Sequence, residues 1–311
     1  MIRETLFQMT TPYRQDVKVD GFHFGKGSKA ACIVGAMRGN EIQQLYVCSQ
    51  LVRALQVLEQ RGDICKGQEI LVIPSVNHFS MNVGKRFWAS DGTDINRMFP
   101  GYALGETTQR VAAGVFEAVK GYQYGIQFAS FYMPGDFVPH VRMMETGYQT
   151  TSLANLFGLP YIVLRQPDPF DTTTLNYNWQ IWETNAFSVY TKETDCIDEE
   201  SAHQAVRAVL RFLSRCGIIH YECHSGFVSA VVKEEEMAPV LSGAGGIFRR
   251  YKGPGDEVVW SEPIAEVLDP LTGVQIHEMT ASTSGILFFA HKKPLINEHE
   301  VAFRIVRRLH A

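Results

Sequence analysis

The sequence predicts an α/β protein, a mostly parallel or mixed sheet flanked by helices, with a smaller C-terminal β domain. Three observations predict it. Short apolar runs alternate with amphipathic segments of helical period through the first two-thirds of the chain, the pattern of a sheet covered by helices on both faces. After Gly217 the helical period disappears, and β-rich runs are punctuated by Gly243, Gly245, Gly246, Gly253-Pro-Gly255, Gly273 and Gly285. The chain has 311 residues, more than one compact core usually holds, so a large domain with a smaller one is the natural division. A boundary near Gly226 gives domains of residues 1–225 and 226–311.

The elements follow in order. Residues 16–24, Asp-Val-Lys-Val-Asp-Gly-Phe-His-Phe, alternate polar and apolar and suggest a hairpin or edge strand, which leads into a buried strand at residues 30–35. From Glu41 to about Arg61, Ile42, Leu45, Val52, Leu55 and Leu58 recur at helical spacing and Gly62 stops the helix. Glu69–Pro74 is a short apolar strand. Asn77–Gly105 has no sustained period, and long loops inside compact domains are usually functional. Thr107–Tyr122 returns to helical spacing with Thr107 as N-cap. Tyr124–Ser130, Pro139–Met144, Tyr161–Leu164 and Ala186–Tyr190 read as strands, and Glu199–Cys216 as an amphipathic helix closed by Gly217.

Composition excludes several functions. The formal charge is −4, with Lys and Arg scattered, so no electrostatic footprint for nucleic acid or an anionic membrane is present. A small-molecule partner is expected, and a homo-oligomer is compatible with the sequence. No apolar run approaches a membrane span, and the charged start Met-Ile-Arg-Glu-Thr-Leu does not read as a signal peptide. Cys32, Cys48, Cys65, Cys196, Cys216 and Cys223 lie far apart without Cys-x-x-Cys spacing, which reads as reduced thiols and a cytoplasmic protein.

Two stretches concentrate chemistry. Ala30–Glu41 runs from an apolar strand through a small-residue turn that delivers Arg38 and Glu41 to the start of a helix, the place where open α/β sheets keep their sites. Asp94-Ile-Asn-Arg-Met-Phe-Pro-Gly101 puts Asp94, Asn96 and Arg97 in a Gly/Pro-bounded loop, which is polar recognition chemistry.

Together these stretches resemble the succinylglutamate desuccinylase and aspartoacylase family, a branch of the zinc carboxypeptidase superfamily, over nearly the whole chain. The resemblance implies a carboxypeptidase-like sheet and a zinc-dependent hydrolase of amide (or ester) bonds that deacylates N-acyl amino acids. The family's first signature, small-x-His-Gly-Asn-Glu, is matched by Ala36-Met-Arg38-Gly-Asn-Glu41 except at the histidine. The second, Asp-x-Asn-Arg-x-Phe-Pro-Gly, is intact, and implies that Asn96 and Arg97 hold the substrate carboxylate. The third ends a strand in Asp-Leu-His; Ile126-Gln-Phe-Ala129-Ser stands there, with Ala129 at the histidine position. Tyr190 falls where a catalytic glutamate is expected, and Arg142 resembles a substrate-binding arginine. The tail resembles the sandwich of biotinyl and lipoyl carrier domains, but Asp269-Pro-Leu-Thr-Gly273 occupies the tip where a carrier presents its lysine.

A hydrolytic zinc needs three protein ligands and one open position. Glu41 is the one retained ligand, and Arg38 is a protonated group with no lone pair to give. Its guanidinium, about one helical turn away, can pair with Glu41 and fill the metal's volume, a fixed cation in place of a bound one. Three readings stay open. A metal is recruited by other residues, with His140 and Asp136, and His220 or His224, converging with Glu41; alternatively His220 and His224 merely satisfy a domain interface. A metal-free hydrolysis uses Glu41, Tyr190 or Glu183. Or the pocket only binds, with Arg38, Arg97 and Arg142 receiving an acidic or N-acyl amino acid. Trp179, Trp182 and Tyr177 read as pocket wall or core, Glu234-Glu-Glu236 as a solvated turn, and Cys223 as a thiol without motif context.

Overall fold

In a computed structural model of the chain, residues 1–12, 16–131, 133–148 and 150–307 are described. The strands in chain order are β1 (Ile2–Met9), β2 (Val17–Gly25), β3 (Gly27–Ala36), β4 (Gly67–Ser75), β5 (Tyr124–Phe128), β6 (Gly135–Phe137), β7 (His140–Met144), β8 (Tyr161–Arg165), β9 (Asn185–Tyr190) and β10 (Ala230–Lys233). The helices are α1 (Ile42–Arg61), α2 (His78–Asn82), α3 (Thr107–Val119), α4 (Thr151–Ala154), α5 (Leu175–Ile181) and α6 (Glu199–Arg215). Two compact units are formed, one by Met1–Ser130 with Pro139–Val231, the other by Phe131–Val138 with the chain from Val232 onward.

The large unit is built on a mixed sheet in the order β1-β2-β4-β3-β5-β9-β7-β8-β10. Its centre is parallel, β4 and β5 flanking β3 and β9 following β5, and β7 enters antiparallel beside β9. Strand alternation sends successive side chains to opposite faces. Ile33, Ile126 and Phe187 pack with Leu51 and Leu55 of α1 and Phe212 of α6; Cys32, Val34 and Ala186 pack with Val111 and Val115 of α3 and Trp179 of α5. Each buried Val, Leu, Ile or Phe among them contributes about 1.5–3 kcal/mol by leaving water.

Around α1, α2 and α3 local detail departs from the sequence reading. The α1 stripe is centred on Val47, Cys48, Leu51, Leu55 and Leu58, and its first turn buries Gln43 and Gln44 as well. Gln43 is buried because its amide reaches α6: Nε2 donates to Asp198 O (2.9 Å) and Ser201 Oγ (3.1 Å), and Oε1 accepts from Asp198 N (3.0 Å). The N-cap of α3 is Glu106, which forms a capping box with Gln109, rather than Thr107. The segment after Asn77 holds a short helix, α2, whose cap is Asn77: its side chain accepts from Ser80 N at 3.2 Å.

Asp198 caps α6 by accepting from Ser201 N at 2.8 Å. Partial burial pushes its carboxyl up, but the bonds from Ser201 outweigh burial and hold it below the usual range. A depressed folded pKa means its stabilisation is present above the unfolded carboxylate pKa and lost as pH falls through the folded value. Asp198→Ala is expected to cost about 1 kcal/mol at neutral pH, with the wild-type advantage shrinking as the medium is acidified. Urea titrations at neutral and acidic pH check both parts.

In the smaller unit β11 (Ala238–Leu241), β18 (Val301–Arg307), β16 (Gly285–His291) and β13 (Glu257–Val258) form one antiparallel sheet, which β6 joins beside β16. A second contains β15 (Gln275–Thr280), β14 (Pro263–Leu268), β12 (Gly246–Arg250) and β17 (Leu295–Ile296). Val240, Phe248, Ile264, Leu287 and Phe303 fill the core. The β14–β15 tip is closed by Asp269, whose Oδ1 accepts from Leu271 N, Thr272 N and Thr272 Oγ1 at 2.7–2.9 Å. Asp136 pairs with Arg250 within this unit, and Glu234 with Arg304 at 3.1 Å. Glu235 and Glu236 are exposed.

Candidate functional site

The C-terminal ends of the parallel strands bring the chemistry together. β3 stops at Ala36, and the turn Met37–Asn40 hands the chain to α1. The turn is tight: a Cβ on Gly39 would sit 2.1 Å from Lys85 O and 2.7 Å from Ser80 C, so a side chain here would collide with the backbone of that segment. Glu41 sits at the N-cap position of α1 but makes no side-chain cap bond to the helix. Its carboxylate turns back instead, Oε2 accepting from Met37 N (2.7 Å) and Arg38 N (3.0 Å).

The other oxygen of Glu41 accepts from Arg38 Nη1 at 3.0 Å and from the Ser130 hydroxyl, which follows β5. Arg38 is shared between two carboxylates. Its Nε and Nη2 form a bidentate pair with Asp94, Nε to Oδ1 at 3.0 Å and Nη2 to Oδ2 at 2.8 Å. Arg38 and Glu41 are 6% and 1% exposed. Burial alone would lower the affinity of Arg38 for its proton; the facing charges of Glu41 and Asp94 outweigh it and raise the guanidinium further above its ordinary value. Arg86, whose carbonyl accepts from Gly39 N at 2.9 Å, is pushed the other way, first by burial and then by the like charge of Arg38. One fixed arginine between two acids, with a second arginine in their field, is an internally balanced cluster.

Beside it runs a second set. Ala129 N donates to Val189 O at 3.0 Å, so the end of β5 lies along the end of β9, where Tyr190 stands. Tyr190 is opposite His140 of β7, and their rings stack at 4.8 Å and 9°. Arg142, two residues on, lies over the Tyr190 ring at 4.8 Å and opposite Ser188. The face carrying Gln127, Ser188 and Arg142 is buried and polar. Helix α5 connects this face to the Asp94 loop: Asn176 Nδ2 donates to Ser188 Oγ at 3.1 Å and Leu175 N to Asn96 Oδ1 at 3.3 Å. Arg97 donates to Phe170 O (2.9 Å) and Asp171 Oδ1 (3.2 Å) and lies over the Phe170 ring.

Of the residues singled out from the sequence, Arg38 and Glu41 bond directly, Asn96 and Arg97 share the turn after Asp94, and Arg142 and Tyr190 pack on each other. His140 is buried under Tyr190; His224 is exposed on a separate stretch, and its carbonyl accepts from Arg211 Nε at 2.8 Å. Among the described residues Glu41, His140 and His224 do not bring ligand atoms together; the group that does, within 4.8 Å, is Glu193, Asp195 and Cys196. Trp179 is core, its Nε1 donating to Val119 O at 3.2 Å, whereas Trp182 is half exposed against Phe116. Cys223 is exposed and Glu183 has a positive φ of 64°. Sequence reasoning missed Ser130 and Arg86 as members of the cluster. Ser130 had a signal, one residue beyond Ala129; Arg86 lies in the aperiodic segment and had none.

Comparison with known proteins adds three findings. The family model described as succinylglutamate desuccinylase/aspartoacylase catalytic domain matches residues 28–215. No curated protein matches the chain. Among solved structures, the chain is similar to a succinylglutamate desuccinylase from Silicibacter sp. TM1040, with 19% identity, 98% of this chain and 94% of that one covered, and a TM-score of 0.81. It is similar to a succinylglutamate desuccinylase/aspartoacylase from Rhodobacter sphaeroides, with 18% identity, coverage of 95% and 91%, and a TM-score of 0.77. It is also similar to the product-bound ectoine utilization protein EutE (DoeB) from Ruegeria pomeroyi, with 18% identity, coverage of 93% and 89%, and a TM-score of 0.77. At these identities the structures establish a shared fold, carboxypeptidase-like with a β domain. No helix among the described residues is long and apolar enough to cross a membrane.

Proposed function

The chain belongs to the succinylglutamate desuccinylase/aspartoacylase family, and on that premise we propose a member that recognises an N-acyl or acidic amino acid through its carboxylate while the metal half of the site is replaced by protein. The observation that carries this reading is the single guanidinium of Arg38 bridging Glu41 and Asp94. The donor set does not fit zinc. Both Glu41 oxygens accept hydrogen bonds from the chain itself. Arg38 has no lone pair, and neither Ala129 nor the Ser130 hydroxyl supplies the missing imidazole. A cation entering beside Glu41 would meet the like charge of Arg38 and would have to displace the hydrogen bonds that both Glu41 oxygens already accept.

The recognition half is the Asn96 and Arg97 turn together with Arg142. Arg142 is buried against Tyr190 on a polar sheet face, where a carboxylate gains a charge-assisted bond in low dielectric. Arg38, 6% exposed with its donors committed to protein oxygens, serves the scaffold and leaves substrate contact to the other arginines. The same enclosure keeps Glu41 from acting as a base on substrate. Catalytic turnover by the family's water-activating route is therefore not expected, and the role is that of a cytoplasmic carboxylate-binding protein on a hydrolase fold. Six free cysteines accord with a reducing compartment.

The test is calorimetric titration with N-acetyl-L-aspartate and N-succinyl-L-glutamate, with and without EDTA. Saturable binding that is indifferent to chelator, with no free amino acid released, is the expected result. Release of amino acid that chelator stops would sink the reading.

A further inference from the structure

We propose that the groove between α1 and α6 is a second binding site, for an organic anion with an apolar body, such as an alkyl phosphate. The groove has a volume of about 420 Å³ and is lined by residues of both helices with Tyr221. It lies within the large unit and shares none of its lining with the cluster around Arg38 and Arg142.

Ala54, Val57 and Leu58 from α1 and Val206 and Leu210 from α6 form an apolar floor. Arg53, Arg61 and Arg207 form the rim, and no acidic residue lines the groove. This stands out in a chain of net charge −4. The arginines are exposed, and among the described residues none of the three is engaged in an ion pair or hydrogen bond. Helical spacing explains the layout. Arg53, Val57 and Arg61 recur every fourth residue on α1, and His203 and Arg207 do so on α6, so each helix turns cations and an apolar stripe to the same side. The α1 and α6 first turns are tied together through Gln43, which holds the two walls in a common register.

Guanidiniums take phosphate and carboxylate in a planar fork, and a cavity of this size suits a small organic ligand. The floor sets the other requirement. An inorganic anion leaves it wet, and a neutral hydrocarbon gains no charge-assisted bond from the arginines. A ligand with an anionic head and an aliphatic or aromatic body meets both, and the charge complementarity names its chemistry.

The experiment is calorimetric titration of the full chain with octyl phosphate below its aggregation concentration, beside octan-1-ol and inorganic phosphate. Octyl phosphate is expected to bind at one site, at least about tenfold tighter than either fragment. Arg53→Ala with Arg207→Ala, both on the surface, should weaken it about tenfold or more. Val57→Asp should weaken it as well, by polarising the floor. N-acetyl-L-aspartate binding should be unchanged in these variants, which separates this site from the carboxylate site. Absence of octyl phosphate binding, or binding unchanged in the double arginine variant, overturns the proposal. So does self-association of the wild type that the same variant abolishes, because that assigns the groove to a second copy of the chain.

Discussion

Replacing Arg38 with alanine is expected to destabilise the large unit by about 3–5 kcal/mol, the cost of leaving the buried Glu41 carboxylate and the partly buried Asp94 carboxylate without the guanidinium they share. Glu41 is 1% exposed and keeps only two backbone donors and the Ser130 hydroxyl once the guanidinium is gone. Asp94 loses a bidentate partner at 2.8–3.1 Å. Urea unfolding followed by tryptophan fluorescence measures the loss. A triple variant, Arg38→Met with Glu41→Gln and Asp94→Asn, removes the bridging cation with both of its carboxylates and should recover part of the loss, since a neutral replacement of a buried ion cluster is often close to neutral, while Arg86 keeps its charge without the two acids. A loss under about 1 kcal/mol in the alanine variant is what an exposed pair would give, and it would show that the cluster is solvated rather than structural.

The second large effect concerns ligand rather than stability. Arg142→Gln is expected to weaken N-acetyl-L-aspartate binding about 10–100-fold, the equivalent of one hydrogen bond to a charged group. Arg142 is 7% exposed, sits over Tyr190 and lies opposite Ser188 in a buried polar face. Arg97→Gln should weaken binding less, because the Arg97 side chain is 30% exposed and its charge is better screened by water than that of Arg142. Tyr190→Phe retains the ring under the guanidinium and should leave affinity within about twofold of wild type. Calorimetric titration of the three variants decides it; an affinity untouched by Arg142→Gln places the carboxylate elsewhere.

How much of this was legible beforehand depends on how local each feature is. The strand-to-helix turn that delivers Arg38 and Glu41 is written in twelve consecutive residues, from Ala30 to Glu41, and the structure has the same turn with the pair bonded at 3.0 Å. The Asp94 loop was legible as polar chemistry, but not as the second carboxylate on Arg38, because that contact joins positions 56 apart. Helix α5 escaped notice. Leu-Asn-Tyr-Asn-Trp-Gln-Ile is only two turns, with Leu175 and Gln180 its only strong helix formers, held by the Thr174 cap and by burial of Trp179. Segment 131–138 joins the smaller unit through β6 pairing with β16, a register that only the distant partner strand specifies. The strand β1 was missed because its side chains are mostly exposed, leaving no apolar alternation to read.

The central claim is that Arg38 stands where a metal would otherwise be. The most direct measurement is zinc content after equilibrium dialysis of the chelator-free protein against micromolar zinc, read by elemental analysis for the wild type and for Glu41→Gln. The account predicts zinc well below one ion per chain, with no difference between the two proteins. One tightly held zinc per chain in the wild type, lost in Glu41→Gln, would contradict it.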